Sequence, residues 1–320
     1  LKDERGNQMK KYVVKRLLQL PFILLGVIIV TFLIIQLSPI DPAVRLAGGN
    51  ARVEDIEAIR EQLGLNKPLL EQFWTYIVNL FHGDFGRSFQ TKTAVSKDIL
   101  QALINTIYLM VFARIWSIIA AIPLGIIAAL KQNTWIDKAC MTLSLAGVSI
   151  PQFWLGLMLM KIFSMQLGWF PLSGMGSSFF SMDGLAHTFL PAFMLGLPQM
   201  ASIARLTRSE MLEVLRQDYI RTAKAKGLRY SAIVIKHALK NAALPLVTVI
   251  GTQTGYMMSG SVVIENIFAW PGLGRYSITA ILGSDYPAIQ ASILLFAVMF
   301  LVVNLIVDLT YSAIDPRIKY

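Results

Sequence analysis

Charged and nucleophilic groups that interrupt apolar sequence are where chemistry could sit in this chain. Arg114 lies in the middle of one long apolar run, Lys161 within a second, and Glu265 and Asp308 near the ends of two more. A charge inside a bilayer is costly and turns towards a cavity or a partner. Arg114 is therefore a candidate either for lining a path or for a structural ion pair, and Glu265 is a second path candidate. Lys161 has an alkyl stem long enough to snorkel, and Glu265 and Asp308 also suit a headgroup region. The signatures of membrane enzymes are absent: no His-Glu-x-x-His, no glycine-rich segment ending in Gly-Lys-Ser/Thr, no Gly-x-Ser-x-Gly. His82, His187 and His237 lie in different connections or at run edges, and Gly83-Asp84 has no partner aspartate in a neighbouring run. Cys140 is the single cysteine, which excludes an internal disulfide and a cysteine metal site. No catalytic residue and no metal site are expected.

The elements that must position these groups are membrane helices. Hydrophobic residues make up 55% of the chain and charged residues only 15%, which is far from a soluble domain of this size. The net charge of +10 and pI near 9.7 do not point to nucleic acid, because the Lys and Arg residues cluster between apolar runs instead of forming one polar face with aromatics. Residues 17–37 are uncharged and long enough to cross a hydrocarbon layer of roughly 30 Å. Further apolar segments follow at 99–130, 140–165, 185–204, 244–268 and 289–309, the second carrying Pro151 and the third Pro191 and Pro198. The expectation is an all-α membrane protein with six transmembrane helices.

Residues 1–16 precede the first helix, of which 1–8 are set aside as a remnant upstream of Met9. Residues 38–98 form a small helical cap: Val53, Ile56, Ile59 and Leu63 repeat at helical spacing and stop at Gly64, and Pro68 opens a second helix through Leu69, Phe73, Ile77 and Leu80. Residues 99–315 form a five-helix core containing a loop at 205–243, and 316–320 are a tail. Lys10, Lys11, Lys15, Arg16, Lys131, Lys138, the dense basic stretch 205–243, Arg317 and Lys319 all fall on one side, whereas 166–184 holds no Lys or Arg. By the positive-inside rule both termini and the basic loop are cytoplasmic and the cap is extracytoplasmic. The prolines and glycines inside spans either let helices approach closely or kink them beside a pathway.

Arg205–Pro245 is the longest break between apolar spans. Asp218 can cap a short helix over Tyr219–Lys226 that ends at Gly227, and Ser231 can cap a second helix leading into the fifth span. Two readings are open on these residues: a rigid lever, or a basic amphipathic segment lying on anionic lipid.

The run Asp218-Tyr-Ile-Arg-Thr-Ala-Lys-Ala-Lys-Gly227, followed by Lys236-His-Ala-Leu-Lys-Asn-Ala-Ala-Leu-Pro245, resembles the cytoplasmic EAA loop of ABC importer permeases in the oligopeptide, dipeptide and nickel branch. Asp41-Pro42, Leu63-Gly-Leu-Asn-Lys-Pro68, Gly83-Asp-Phe-Gly-Arg-Ser88, Ser149-Ile-Pro-Gln-Phe-Trp154, Glu265-Asn-Ile-Phe-Ala-Trp-Pro-Gly-Leu-Gly274 and Asp285-Tyr-Pro287 agree with the same branch. The resemblance covers nearly the whole chain from Met9. It implies a permease of the bacterial inner membrane that pairs with a second, homologous permease subunit, two cytoplasmic ATPase subunits and an extracytoplasmic solute-binding protein, amid membrane lipid. The chain itself would bind no cofactor, ATP and Mg belonging to the partner ATPases. Asp218, Tyr219, Ile220, Thr222, Ala223 and Gly227 would couple to the ATPase, with Ala223 and Gly227 where small residues permit close approach. Arg221 stands where the broader motif has Glu, and the spacing from Gly227 to Pro245 is longer than in the general motif, as it is in this branch. Short peptides are the expected cargo on family breadth; nickel or a metal chelate through the same machinery is the alternative, and a membrane enzyme or scaffold is the alternative from another class.

Overall fold

The computed structural model describes residues 2–37, 41–48 and 51–314, with side chains from residue 18 onward except at Ile35, Val148, Leu244, Asp308 and 311–314. The side chains of Lys10, Lys11, Lys15, Arg16 and Asp308, and the tail with Arg317 and Lys319, lie outside the described residues. The described chain is helical, with one isolated antiparallel bridge between Arg87 and Ala94. Its elements are α1 (Lys2–Gln36), α2 (Pro42–Ala47), α3 (Val53–Gln62), α4 (Leu69–Phe81), α5 (Val95–Leu130), α6 (Trp135–Ser149), α7 (Gln152–Leu159) with a π-helical continuation (Met160–Gln166), α8 (Met182–Leu215), α9 (Asp218–Ala225), the single turn α10 (Tyr230–Ala232) with a π-helical continuation (Ile233–Leu239), α11 (Lys240–Ile267), α12 (Leu273–Leu282) and α13 (Tyr286–Ile314).

Among the described residues three helices are long and apolar enough to cross a membrane: α5, α8 and the 286–307 part of α13. The count becomes five if each of two bent pairs is one span. One pair is α6 with α7, bent by 102° where Pro151 removes a backbone donor, and the other meets at Pro245 with a bend of 52°. α1 carries a shorter apolar stretch, Leu18–Ile34.

The chain divides into two compact units. The first comprises residues 1–13, 107–270 and 302–320. Its helices approach through glycines. A Cβ on Gly125 would lie 2.5 Å from Thr207 Cβ, one on Gly196 would lie 2.6 Å from the Ala113 carbonyl, and Gly147 faces Leu197 and Ala201. Bare backbone at these points lets helices pack closer than any side chain would allow. The close-packing reading of Gly125 and Gly196 therefore holds, while Pro151 and Pro245 bend their segments.

The second unit comprises residues 14–106 and 271–301. α3 and α4 form as their periodicity and turn residues require, with Gly64 in the left-handed region at φ +66. Asp41 caps α2 by accepting from Ala43 N at 2.8 Å and pairs with Arg60. Polar bonds join distant stretches here. Buried Ser88 donates to buried Asp285 at 2.5 Å, Phe89 meets Tyr286 edge-on at 6.3 Å, and Arg45 Nε donates to the Gly283 carbonyl at 3.2 Å. Beside them the Tyr276 hydroxyl is pushed up to about 12, by burial first and then by the Asp285 and Asp98 charges. Two of the quoted motifs, Gly83–Ser88 and Asp285–Pro287, thus form one joint.

Candidate functional site

The basic stretch does not begin as a loop. α8 continues without a break through Arg205 and on to Leu215, because nothing in Arg-Leu-Thr-Arg-Ser-Glu-Met-Leu-Glu-Val-Leu breaks a helix and four of its residues are good helix formers with apolar side chains. Loss of hydropathy at Arg205 marks the end of the apolar segment, not of the helix. A turn at Arg216–Gln217 then leads into α9. Gln217 is the N-cap residue and Asp218 the first helical one, so Asp218 is not the cap expected of it; its carboxylate instead sits in the first turn, where the helix dipole favours it. Arg229, not Ser231, occupies the next cap position.

α9 is amphipathic, and its two faces meet different surroundings. Ile220 and Ala223, one turn apart, are buried against Met211 of α8, Ala129 of α5, Ile233, Val234 and Ala238 of the π-helical segment, and Ala242 of α11. Burying an isoleucine side chain contributes about 1.5–3 kcal/mol. Ile220 and Ala223 therefore fasten α9 to its own chain. Asp218, Arg221, Thr222, Lys224 and Gly227 are exposed. Asp218 and Arg221 stand 3.7 Å apart with side chains 97% and 81% exposed, a pair worth little in water. Tyr219 is half-exposed, its hydroxyl accepting from Asn241 Nδ2 at 2.8 Å, and the Thr222 hydroxyl donates to the Asp218 carbonyl at 3.1 Å.

Gly227 ends the helix. Its φ of +73 is left-handed, and its N–H donates to the Lys224 carbonyl at 3.0 Å, satisfying a helix-end acceptor. A Cβ added there would meet nothing within 4 Å. Glycine is required by the backbone at this point, and the space around it is open.

Arg114 and Glu265 stand apart from α9. Arg114 projects from α5 with all three guanidinium nitrogens enclosed and without a hydrogen-bond partner among the described residues, so it is not bonded to Glu265. Glu265 is fully buried near the end of α11, where its carbonyl accepts from Trp270 N at 2.8 Å. Trp270 is itself buried and stacks on Tyr108 at 6.1 Å. A cleft of about 740 Å³ in the second unit, lined by Phe32, Gln36, Tyr76, Phe89 and Gln290 among others, contains neither path candidate.

One polar contact near α9 was missed. Arg208 of α8 makes two bonds to Asp137 of α6, 2.5 Å from Nε to Oδ1 and 2.6 Å from Nη2 to Oδ2. The only signal for it was a lone acid among the lysines of the 131–138 connection.

Residues 9–110 match the model of the N-terminal part of a binding-protein-dependent transport system membrane component, and residues 121–320 match that of the binding-protein-dependent transport system inner membrane component. The glutathione transport system permease protein GsiC of Escherichia coli K12 is 43% identical over 98% of this chain and all of its own length; that of Salmonella choleraesuis is 44% identical over the same shares. Among solved structures, an inward-facing conformation of the MetNI methionine ABC transporter aligns with a TM-score of 0.56 at 16% identity, covering 68% of this chain and 96% of its own, a likeness of fold. The chain belongs to the binding-protein-dependent transport system inner membrane component family, the inner-membrane permeases of ABC importers, within its peptide and nickel branch.

Proposed function

We propose that this ABC importer permease forms half of a translocation pathway for short peptides delivered by a solute-binding protein, a second, homologous permease supplying the other half and two ATPase subunits driving it. α1, α5, α6 with α7, α8, α11 and α13 are read as six spans, with both termini and the 205–243 stretch cytoplasmic and the 38–98 cap outside. The charge asymmetry of the connections supports this orientation. Cargo of peptide type is supported by the glutathione permeases named among the relatives, glutathione being a small peptide. The chain holds no catalytic group in this reading, and ATP is hydrolysed by the partners.

The observation that carries the coupling assignment is the division of α9. Its apolar face is packed on α5, α8 and α11, while Asp218, Thr222 and Gly227 remain exposed, Gly227 beside open space. A body pushed at the exposed face would move the helices behind it. ATP binding would close the ATPases, α9 would carry that closure into a change between inward-facing and outward-facing spans, and the loaded binding protein would favour the state in which it makes additional contacts. Arg114 and Glu265 are assigned to the path in the same reading. An enclosed cation without a partner is poorly stabilised, which supports a role in which Arg114 meets water or a peptide carboxylate once the spans rearrange.

The test is substitution at Gly227 in the complete complex in lipid vesicles. Gly227→Asn tolerates the left-handed backbone, so it separates the demand of the turn from the demand for space. Gly227→Trp is expected to abolish ATP hydrolysis stimulated by loaded binding protein, and Gly227→Asn to lower it at least several-fold, with the permease still in the membrane. Full stimulation in both variants would overturn the coupling assignment.

A further inference from the structure

The ion pair between Asp137 and Arg208 is used by nothing described so far. Asp137 is 3% exposed and accepts from both sides: Arg208 Nε at 2.5 Å on one oxygen, and Arg208 Nη2 at 2.6 Å with the backbone N–H of Asn133 at 3.0 Å on the other. A fork of two parallel bonds between guanidinium and carboxylate fixes relative orientation as well as distance. Arg208 leaves α8 next to Thr207, whose side chain is pressed against Gly125 of α5, and one turn before Met211, which seats Ile220 of α9.

At its other end α6 is held to α8 by Gly147, whose Cβ position lies 3.3 Å from Leu197 and 3.8 Å from Ala201. α6 is thus pinned to α8 at both ends. Beyond Pro151 the chain turns by 102° into α7, whose Gly156 packs on Ile267 and Phe268 at the far end of α11. The break at Pro151 therefore separates a half-span fastened to α8 from a half-span that rests on α11 as well as on α8.

We propose that Asp137 and Arg208 are positioning residues of the coupling machinery: their bond makes α6 ride on α8, so that a displacement received at α9 reaches the broken span at Pro151. This rests on the assignment of α9 as the coupling element. The pair has no contact with cargo or with a partner in this role; it acts by making two helices move as one.

The experiment uses the whole complex in lipid vesicles, and the readout is the stimulation ratio, ATP hydrolysis with the organism's loaded binding protein divided by hydrolysis without it. Asp137→Asn and Arg208→Gln are each expected to lower this ratio at least fivefold with basal hydrolysis within twofold of normal, and the exchanged pair Asp137→Arg with Arg208→Asp to restore at least half of it. If the single variants fail to assemble, Asp137→Cys with Arg208→Cys in a Cys140→Ser background, joined by a short reducible thiol crosslinker, keeps the test in one sample: a high ratio while crosslinked and a fall on reduction. Normal ratios in the single variants, or equal ratios before and after reduction, would overturn the inference. A normal wild-type ratio abolished by Gly227→Trp, alongside silent Asp137 and Arg208 variants, would leave the α9 assignment standing and remove only this one. Absence of stimulation in the wild-type complex would remove both.

Discussion

The seat of α9 and the joint around Asp285 differ in what chiefly holds their elements. α9 rests chiefly on Ile220 and Ala223 in a socket of Met211, Ala129, Ile233, Val234 and Ala238, contacts that are apolar and without direction, with the Asn241 to Tyr219 bond on its exposed side the exception. The joint in the second unit is directional: Ser88 to Asp285, Arg45 to the Gly283 carbonyl, Asp41 to Arg60 and to the α2 amide. Apolar contacts have no preferred direction, whereas a hydrogen bond weakens steeply once misaligned. The first arrangement suits an element that transmits motion, and the second suits one that holds a fixed register.

Three changes would break or sharpen this contrast. The largest effect is expected from Ile220→Asp, which puts a carboxylate into the apolar socket; at several kcal/mol for an unpaired buried charge, α9 should detach. Limited proteolysis should then cut the 216–230 stretch and stimulated ATP hydrolysis should vanish, and a variant resistant to protease would show that the socket is not what holds α9. Asp285→Ala comes next. It strips the acceptor from Ser88 and should cost about 1–3 kcal/mol, read as a lower melting temperature of the purified permease, while the stimulation ratio of the surviving complex stays near normal. A lost ratio at unchanged melting temperature would make the joint part of the coupling route and erase the distinction.

The smallest effect is expected at Asp41. Partial burial raises its carboxyl pKa, but the bond from Arg60, the Ala43 amide and the Arg60 charge outweigh it and hold the group below its ordinary 3.8. Because the folded value is the lower one, the stabilisation is fully present above pH 3.8 and is lost as pH falls through the folded value. Melting between pH 7 and 5 should therefore respond only slightly to Arg60→Gln, independent of pH, and the difference between variant and wild type should shrink only below pH 4. A difference that disappeared already at pH 6 would implicate another group.

Much of this was legible because it is local. Gly64 and Gly227 end helices where only glycine sits comfortably at positive φ, and the division of α9 into an Ile220–Ala223 face and a charged face follows from helical spacing. Which residues of its own chain the apolar face would meet was not legible: Ile220 and Ala223 are buried in one cluster with Met211 and Ile233. Ser88 and Asp285 are 197 residues apart and Arg208 and Asp137 are 71 apart; no periodicity encodes such pairings, since a lone polar residue at a span edge looks the same with a partner or with solvent. The continuation of α8 to Leu215 was hidden for a different reason, hydropathy and helicity ending at different residues.

The π-helical turns at Ile233–Leu239 bear on the long interval between Gly227 and Pro245. A wider turn absorbs an added residue without looping it out, so the greater length of this linker is taken up as winding and leaves no slack between the Gly227 turn and the span that follows. A single-residue deletion within 233–239 would remove the wide turn and restore ordinary winding with Ile220 still in register with its socket, whereas one in an α-helical turn of α11 would rotate everything upstream by about 100° about the helix axis and swing Ile220 out of it.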